Sequence, residues 1–391
     1  MRIAMLGTRG VPAAYGGFET AVEEIGARLA ANGHEVTVFG DRTDPEISEH
    51  RGMRIVHVPS VPLKQLETLS RTGIATMRAL ARAKPDVAFV FNAANAPYVS
   101  LLRAGRVPVA VHVDGLEWRR AKWGGAGRAY YRWAEQRAVR TADALIADAP
   151  GIAEYYATEF GAPTELIRYG APVLQRGATA PLTAIGLEPE RFHLAVARFE
   201  PENHVLEIVQ GYRESDAQLP LAVVGSAPYS AEYTRAVHEA AAGDERIRLL
   251  GGVWDQELLD ALYAHAYTYL HGHSVGGTNP SLLRAMGAGT ATIAWDVDFN
   301  REVLDDDAWC FDSPASLAAI LAQVEADEPQ VIARGLRNQD RAIRDFRWDD
   351  VARDYERLAL DLAAGASIHT TARHARRGDP EPDSRASPVL A

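Results

Sequence analysis

A glycine-rich run that opens a short helix, Gly276-Gly277-Thr278-Asn279-Pro280-Ser281, carries the residue types of an anion site. Gly276 and Gly277 let a backbone come close to a ligand. Thr278 or Asn279 can cap the helix, and Pro280 suits its first position, where no N–H is needed. Ser281, Leu282, Leu283, Ala285 and Met286 continue the helix around Arg284, and Gly287 with Gly289 ends it. Free N–H groups at such a terminus attract phosphate. An ordinary strand-to-helix connection uses the same residues, so the spacing alone leaves both readings open.

Three further clusters each follow an apolar run. Gly7-Thr8-Arg9-Gly10, extended by Tyr15-Gly16-Gly17-Phe18, could face an anion with its N–H groups and add the Arg9 cation. It is not the dinucleotide fingerprint, and a turn that packs helix on sheet looks the same. His112-Val113-Asp114-Gly115 could bind sugar hydroxyls or move protons; a structural His–Asp pair is the plain alternative. Arg198-Phe199-Glu200-Pro201-Glu202-Asn203 offers a planar fork suited to a diphosphate, or else a salt bridge to Glu200 or Glu202. The acidic run at 305–307 reads as a solvated loop, and His271 with His273 lacks a third ligand. No metal ion is therefore expected.

The segment 118–140 sets Arg119, Arg120, Lys122, Arg128, Arg132, Arg137 and Arg140 against Glu135, with Trp118, Trp123, Tyr130, Tyr131 and Trp133 interleaved. Basic residues with Trp and Tyr suit an anionic bilayer surface. A solvated helix face with inward aromatics has the same composition.

These clusters need elements to hold them. Short apolar runs at 2–7, 35–39, 54–58, 87–91, 107–112 and 144–147 read as strands with helices between. The first helix, 18–31, puts Val22, Ile25 and Leu29 on one face. A second series has strands at 193–197, 221–224, 247–250, 268–271 and 292–295, and helices that include 205–212; a last helix covers 348–363. The class is α/β, with two doubly wound halves and a cleft between them. The division is 1–172, a Pro- and Gly-bearing linker at 173–188, 189–346, and a polar tail at 366–391 that reads as disordered.

The bulk numbers exclude several classes. With 391 residues, two cores are expected. A net charge of −11 disfavours nonspecific nucleic-acid binding. Cys310 is the single cysteine, so no internal disulfide forms. No apolar run reaches about 18 residues, and the first strand is too short for a signal peptide. The expected location is cytoplasmic, with peripheral contact to the inner face of the plasma membrane through the basic segment.

Together, GTRGVPAAYGGFET, HVDGLEWRRAKW, RFEPEN, HGHSVGGTNPSLL and FNREVL resemble, in order, the retaining family-four glycosyltransferases of the GT-B fold. They are most similar to the bacterial rhamnosyltransferases of capsule and exopolysaccharide assembly. The resemblance implies a nucleotide-sugar donor on the second domain, a saccharide acceptor on the first, and a helix at about 347–365 returning to the first domain. It implies that Arg198 and the loop of Gly276, Gly277, Thr278, Asn279 and Ser281 hold the diphosphate, with Gly16 and Gly17 opposite. His112 and Asp114 would act as the catalytic pair at the transferred sugar, and Val253 would lie beside the base. Transfer would proceed without metal or other cofactor, from dTDP-rhamnose to a lipid-linked acceptor, the departing phosphate taking the acceptor proton. Two departures stand out. The family's Glu-x7-Glu pair falls on Gly276 and Arg284, and its lysine falls on Asn203. Arginine only donates hydrogen bonds, so Arg284 cannot accept from a ribose as glutamate does. A catalytically impaired scaffold protein is thus one alternative, and a GT-B epimerase or phosphorylase another.

Overall fold

Apolar residues in short runs, bounded by glycine, asparagine or proline, bury both faces of parallel strands. The computed structural model describes residues 1–13, 16–41, 46–61, 66–113, 115–120, 123–227, 230–305 and 308–369. Asp114, Lys122, Tyr15, the carboxylates at 306 and 307, and the tail from 370 onward lie outside these residues.

The first sheet contains β1 (Arg2–Leu6), β2 (Glu35–Gly40), β3 (Glu49–His50), β4 (Met53–His57), β5 (Val87–Phe91), β6 (Val109–His112), β7 (Ala144–Ala147) and β8 (Glu165–Leu166). Their spatial order is β3-β4-β2-β1-β5-β6-β7-β8, parallel except for the β3–β4 pair. The second sheet contains β9 (His193–Val196), β10 (Leu221–Val224), β11 (Ile247–Gly251), β12 (Thr268–His271), β13 (Ala291–Trp295) and β14 (Trp309–Phe311). Its order is β11-β10-β9-β12-β13-β14, all parallel.

Sequence periodicity missed β3, β8 and β14, which span two or three residues, too few to show a period. The expected strand at 107–112 starts at Val109 instead, after Pro108, which has no N–H to donate to a ladder. The stretch read as linker holds a short helix, Ala180–Ala184, whose Leu182 is buried together with Leu187.

The last helix, Trp348–Ala363, packs on the first sheet: Tyr355, Leu358, Ala359 and Leu362 share one core with Val22, Ile25 and Phe89. The same core reaches Leu282, Leu283 and Met286 of the Pro280–Gly287 helix. Two chain crossings connect the halves and are hydrogen-bonded to each other, Ala171 N to Phe346 O at 2.7 Å. There Gly287 has no room for a side chain, since a Cβ would stand 1.9 Å from the Pro172 carbonyl oxygen. The returning helix thus belongs with the first sheet, as the resemblance implied.

Candidate functional site

Parallel strands of one sheet direct all their carboxyl ends to one edge, so the residues just after them gather there. In this chain those edges face one another. A Cβ on Gly17 would lie 3.1 Å from Pro280 Cγ, and one on Gly115, after β6, would lie 2.9 Å from the Gly276 carbonyl carbon. The loop after β12 is also tied to the first domain through Thr278, whose hydroxyl donates to the Asp148 carbonyl at 3.1 Å.

Two helix N-termini meet in this cleft. The Gly17–Ala31 helix starts after Gly16, whose φ of 121° is one that L side chains rarely adopt. Its Gly17 carbonyl accepts from Tyr169 at 2.6 Å. On the other side Asn279, not Thr278, caps the Pro280–Gly287 helix, accepting from Ser281 N at 2.8 Å. Thr278 is committed to Asp148 instead, which decides between the two capping candidates. The first residues of the two helices, one from each domain, therefore lie next to each other in the cleft, where helix N-termini favour an anion.

Arg198, just after β9, reaches Glu200 at 3.2 Å. Glu200 is only 3% exposed, so this is a partly buried pair rather than a surface bridge. The following turn, Pro201–Asn203, is tied to the Gly-rich loop. Asn203 bonds the Arg198 carbonyl (2.8 Å) and His273 Nδ1 (2.6 Å), and Ser274 N donates to the Glu202 carbonyl (2.9 Å). The second-domain loop is thus fixed onto the arginine's own turn.

His112 closes β6 and is 4% exposed. Phe18 and Phe91 flank its ring, with centroids 5.2 and 5.6 Å away. Nδ1 is held at 2.9 Å by the hydroxyl of Tyr355 on the returning helix. Nε2 faces Asp148 Oδ2 at 3.9 Å, beyond hydrogen-bond length. Burial pushes His112 down to about 4 and His271 down to about 3, from an ordinary 6.5. Both are neutral at pH 7, so His112 can orient a hydroxyl but is a poor acid there.

The sign of the stability effect follows. A folded state that resists protonation loses stability as pH falls below about 6.5, where the unfolded chain takes up the proton first, until the folded values are passed. The urea midpoint should hold steady above pH 7 and fall between about 6.5 and 4, less so in His112→Gln. A variant that loses as much midpoint as the parent over that range would show that His112 carries none of the effect.

The other expected site residues have the following surroundings. Arg9 pairs with Glu67 at 3.5 Å, beside the buried Arg71–Asp41 pair at 2.9 Å, at the first domain's own strand ends. Arg284 pairs with Asp260 and lies over the Tyr263 ring, 5.7 Å from its centroid. Val253 packs, partly buried, on the second-domain core that contains Leu187, Phe192 and Leu262, next to Trp254, which is 70% exposed. The basic segment divides. Arg119 and Arg132 lie over Trp118, at 5.2 and 5.1 Å, and Trp133 is 48% exposed. Arg120 instead turns to Glu117 (2.5 Å) and toward Gly276. Trp123 packs on Tyr131 at 5.0 Å, and Tyr131 is buried.

Sequence reasoning missed Asp148 and Tyr355. Asp148 follows β7 just as His112 ends β6, so its place after a strand was a usable signal. Tyr355 carried none, because it is 243 residues from its partner.

Two facing parallel α/β sheets, with a cleft at their carboxyl edges and a last helix returning to the first sheet, define the GT-B class of glycosyltransferase fold. The family models agree. Residues 16–170 match the glycosyl transferase 4-like domain and residues 185–340 the glycosyl transferases group 1. This chain belongs to the family-four glycosyltransferases of the GT-B fold.

Solved structures share the fold. Sucrose-phosphate synthase from Thermosynechococcus elongatus is 23% identical with a TM-score of 0.80, over 93% of this chain and 99% of that one. HepE of Anabaena, solved with UDP-glucose, is 17% identical with a TM-score of 0.74, over 92% and 100%. A Rickettsia africae glycosyltransferase is 12% identical with a TM-score of 0.68, over 93% and 99%. No curated protein matches the sequence.

Proposed function

We propose that this glycosyltransferase moves rhamnose from dTDP-rhamnose, with retention and without a metal ion, onto a lipid-linked saccharide acceptor in cell-surface polysaccharide synthesis. The observation that carries nucleotide-sugar transfer is the convergence of two helix N-termini and Arg198 at the cleft. Donors fixed where a diphosphate leaves stabilise the charge that develops on it. The family membership and the UDP-glucose in HepE support a nucleoside-diphosphate sugar as donor. Rhamnose and retention rest on the resemblance of HGHSVGGTNPSLL and its companion motifs to the rhamnosyltransferases.

The test is turnover of dTDP-rhamnose, UDP-glucose and GDP-mannose on a lipid-linked saccharide, with and without EDTA. Transfer from dTDP-rhamnose, insensitive to EDTA and with the anomeric configuration kept, is the expected result. Transfer from UDP-glucose alone would overturn the sugar and leave the transferase. Tight nucleotide binding with no transfer from any donor would favour a scaffold role.

The scaffold reading has one specific observation behind it, the Arg284–Asp260 pair. Glutamate at 284 would face Asp260, and two carboxylates there repel. Arg284→Glu alone should weaken dTDP binding about threefold to tenfold, and Arg284→Glu with Asp260→Asn should recover it. Calorimetry reads both. Tighter binding in the single variant would show that the arginine only obstructs the site.

For membrane contact the exposed cations among the described residues of this segment are Arg119, Arg128, Arg132 and Arg140, with Trp133 among them. Among the described residues no helix is long and apolar enough to cross a bilayer. Changing Arg119, Arg128 and Arg132 to glutamate should abolish flotation with vesicles rich in phosphatidylglycerol. Flotation equal to the parent would remove the membrane idea.

A further inference from the structure

The geometry points to Arg120 as a second guanidinium on the donor diphosphate, supplied by the first domain and opposing Arg198 of the second, so that binding draws the two domains together. This deepens the nucleotide-sugar reading above and rests on it.

Arg119 and Arg120 are neighbours with opposite fates. Arg119 is exposed beside Trp118, whereas the Arg120 side chain is only 15% exposed. Glu117 Oε2 holds its Nε at 2.5 Å, and Glu117 is itself buried. This fixes one edge of the guanidinium. Nη2 then comes within 4.0 Å of where a Gly276 Cβ would stand, and His273 Nε2 within 3.5 Å of the same point. The head of Arg120 therefore sits across the cleft at the loop that opens the Pro280–Gly287 helix. Gly115, five residues earlier, touches that loop too. Arg120 directly follows the single turn Glu117–Arg119, which comes soon after β6, and its backbone is extended there.

Electrostatics agree with the geometry. Besides burial, the positive charges of Arg120 and Arg198 push the His273 imidazole well down. Cations from both domains thus act on one ring. Each guanidinium has a buried carboxylate beside it, Glu117 for Arg120 and Glu200 for Arg198, which keeps both cations in place at the cleft. A nucleoside diphosphate carries two or more negative charges and matches a pair of planar forks. Asn203, beside Arg198, brings no charge, and its amide is bonded to Arg198 O and His273. A cation from the opposite domain compensates. Because Arg120 reaches the loop only when the domains meet, it discriminates diphosphate from monophosphate in the closed state.

The experiment uses the full chain, with Arg120→Ala, Arg120→Lys and the control Arg119→Ala. Calorimetry measures dTDP and dTMP binding, and solution scattering measures compaction on adding dTDP. Arg120→Ala should lose at least about tenfold in dTDP affinity while dTMP stays within about twofold. Arg120→Lys should fall between, because lysine keeps charge but not the fork. Arg119→Ala should match the parent, and dTDP should compact the parent but not Arg120→Ala. If Arg120→Ala does not fold, the lysine variant carries the same comparison. Unchanged preference for dTDP over dTMP in the Arg120 variants overturns the clamp and leaves the nucleotide-sugar reading standing. A parent that binds neither of these nor UDP or GDP ends both.

Discussion

Arg198→Ala is expected to lower kcat about 10²- to 10³-fold, the scale of losing one preorganised donor at a developing oxyanion. Arg198 leaves β9 at the carboxyl edge and stands beside the turn that is bonded to the Gly-rich loop. Its loss also strips a cation from Glu200, which is 3% exposed, and a buried carboxylate deprived of its partner destabilises the fold. The two consequences separate in Arg198→Ala/Glu200→Gln. That double variant should regain the parent's melting temperature and remain as slow in transfer as the single one. Transfer that recovers along with the melting temperature would show that Arg198 acts only by balancing Glu200.

Gly115→Ala should cost about 10²-fold in transfer, because a methyl group there displaces one domain face from the other by a fraction of an ångström or more. Its Cβ would lie 2.9 Å from the carbonyl carbon and 3.1 Å from the oxygen of Gly276. These are backbone atoms and cannot swing aside. The substitution lies in a loop and breaks no strand or helix, so the far-ultraviolet circular dichroism should not change. Solution scattering should report a more open particle. Gly124→Ala is the control, since nothing lies within 4 Å of its Cβ position. Parental rates in Gly115→Ala would mean that closure of these two loops is not required for transfer.

Both expectations rest on groups that come together only across the cleft, and this is where sequence and structure part. Strands, helices and the loops after them were legible because their signals are local: apolar runs of four to six residues, Pro280 at a helix start, Gly287 and Gly289 at its end. The placement of His112, Arg198 and the Gly-rich loop at strand ends followed from the same signals, since parallel strands must share one carboxyl edge. The family followed from the order of the motifs.

Local signals could not tell Arg119 from Arg120. They occupy adjacent positions in one basic run, and a turn of three residues sends one to solvent and the other to the cleft. Nor could they show that Arg284 meets Asp260, that Arg9 engages Glu67, or that Tyr355 supports His112. Periodicity specifies which face of an element is buried, and it acts over a few residues. Which side chains then share a site depends on how whole elements dock, and that is set by packing summed over both cores. The chain's own residues therefore determine the elements and the edge at which their loops gather, while the docking of two domains decides which arginines face the cleft.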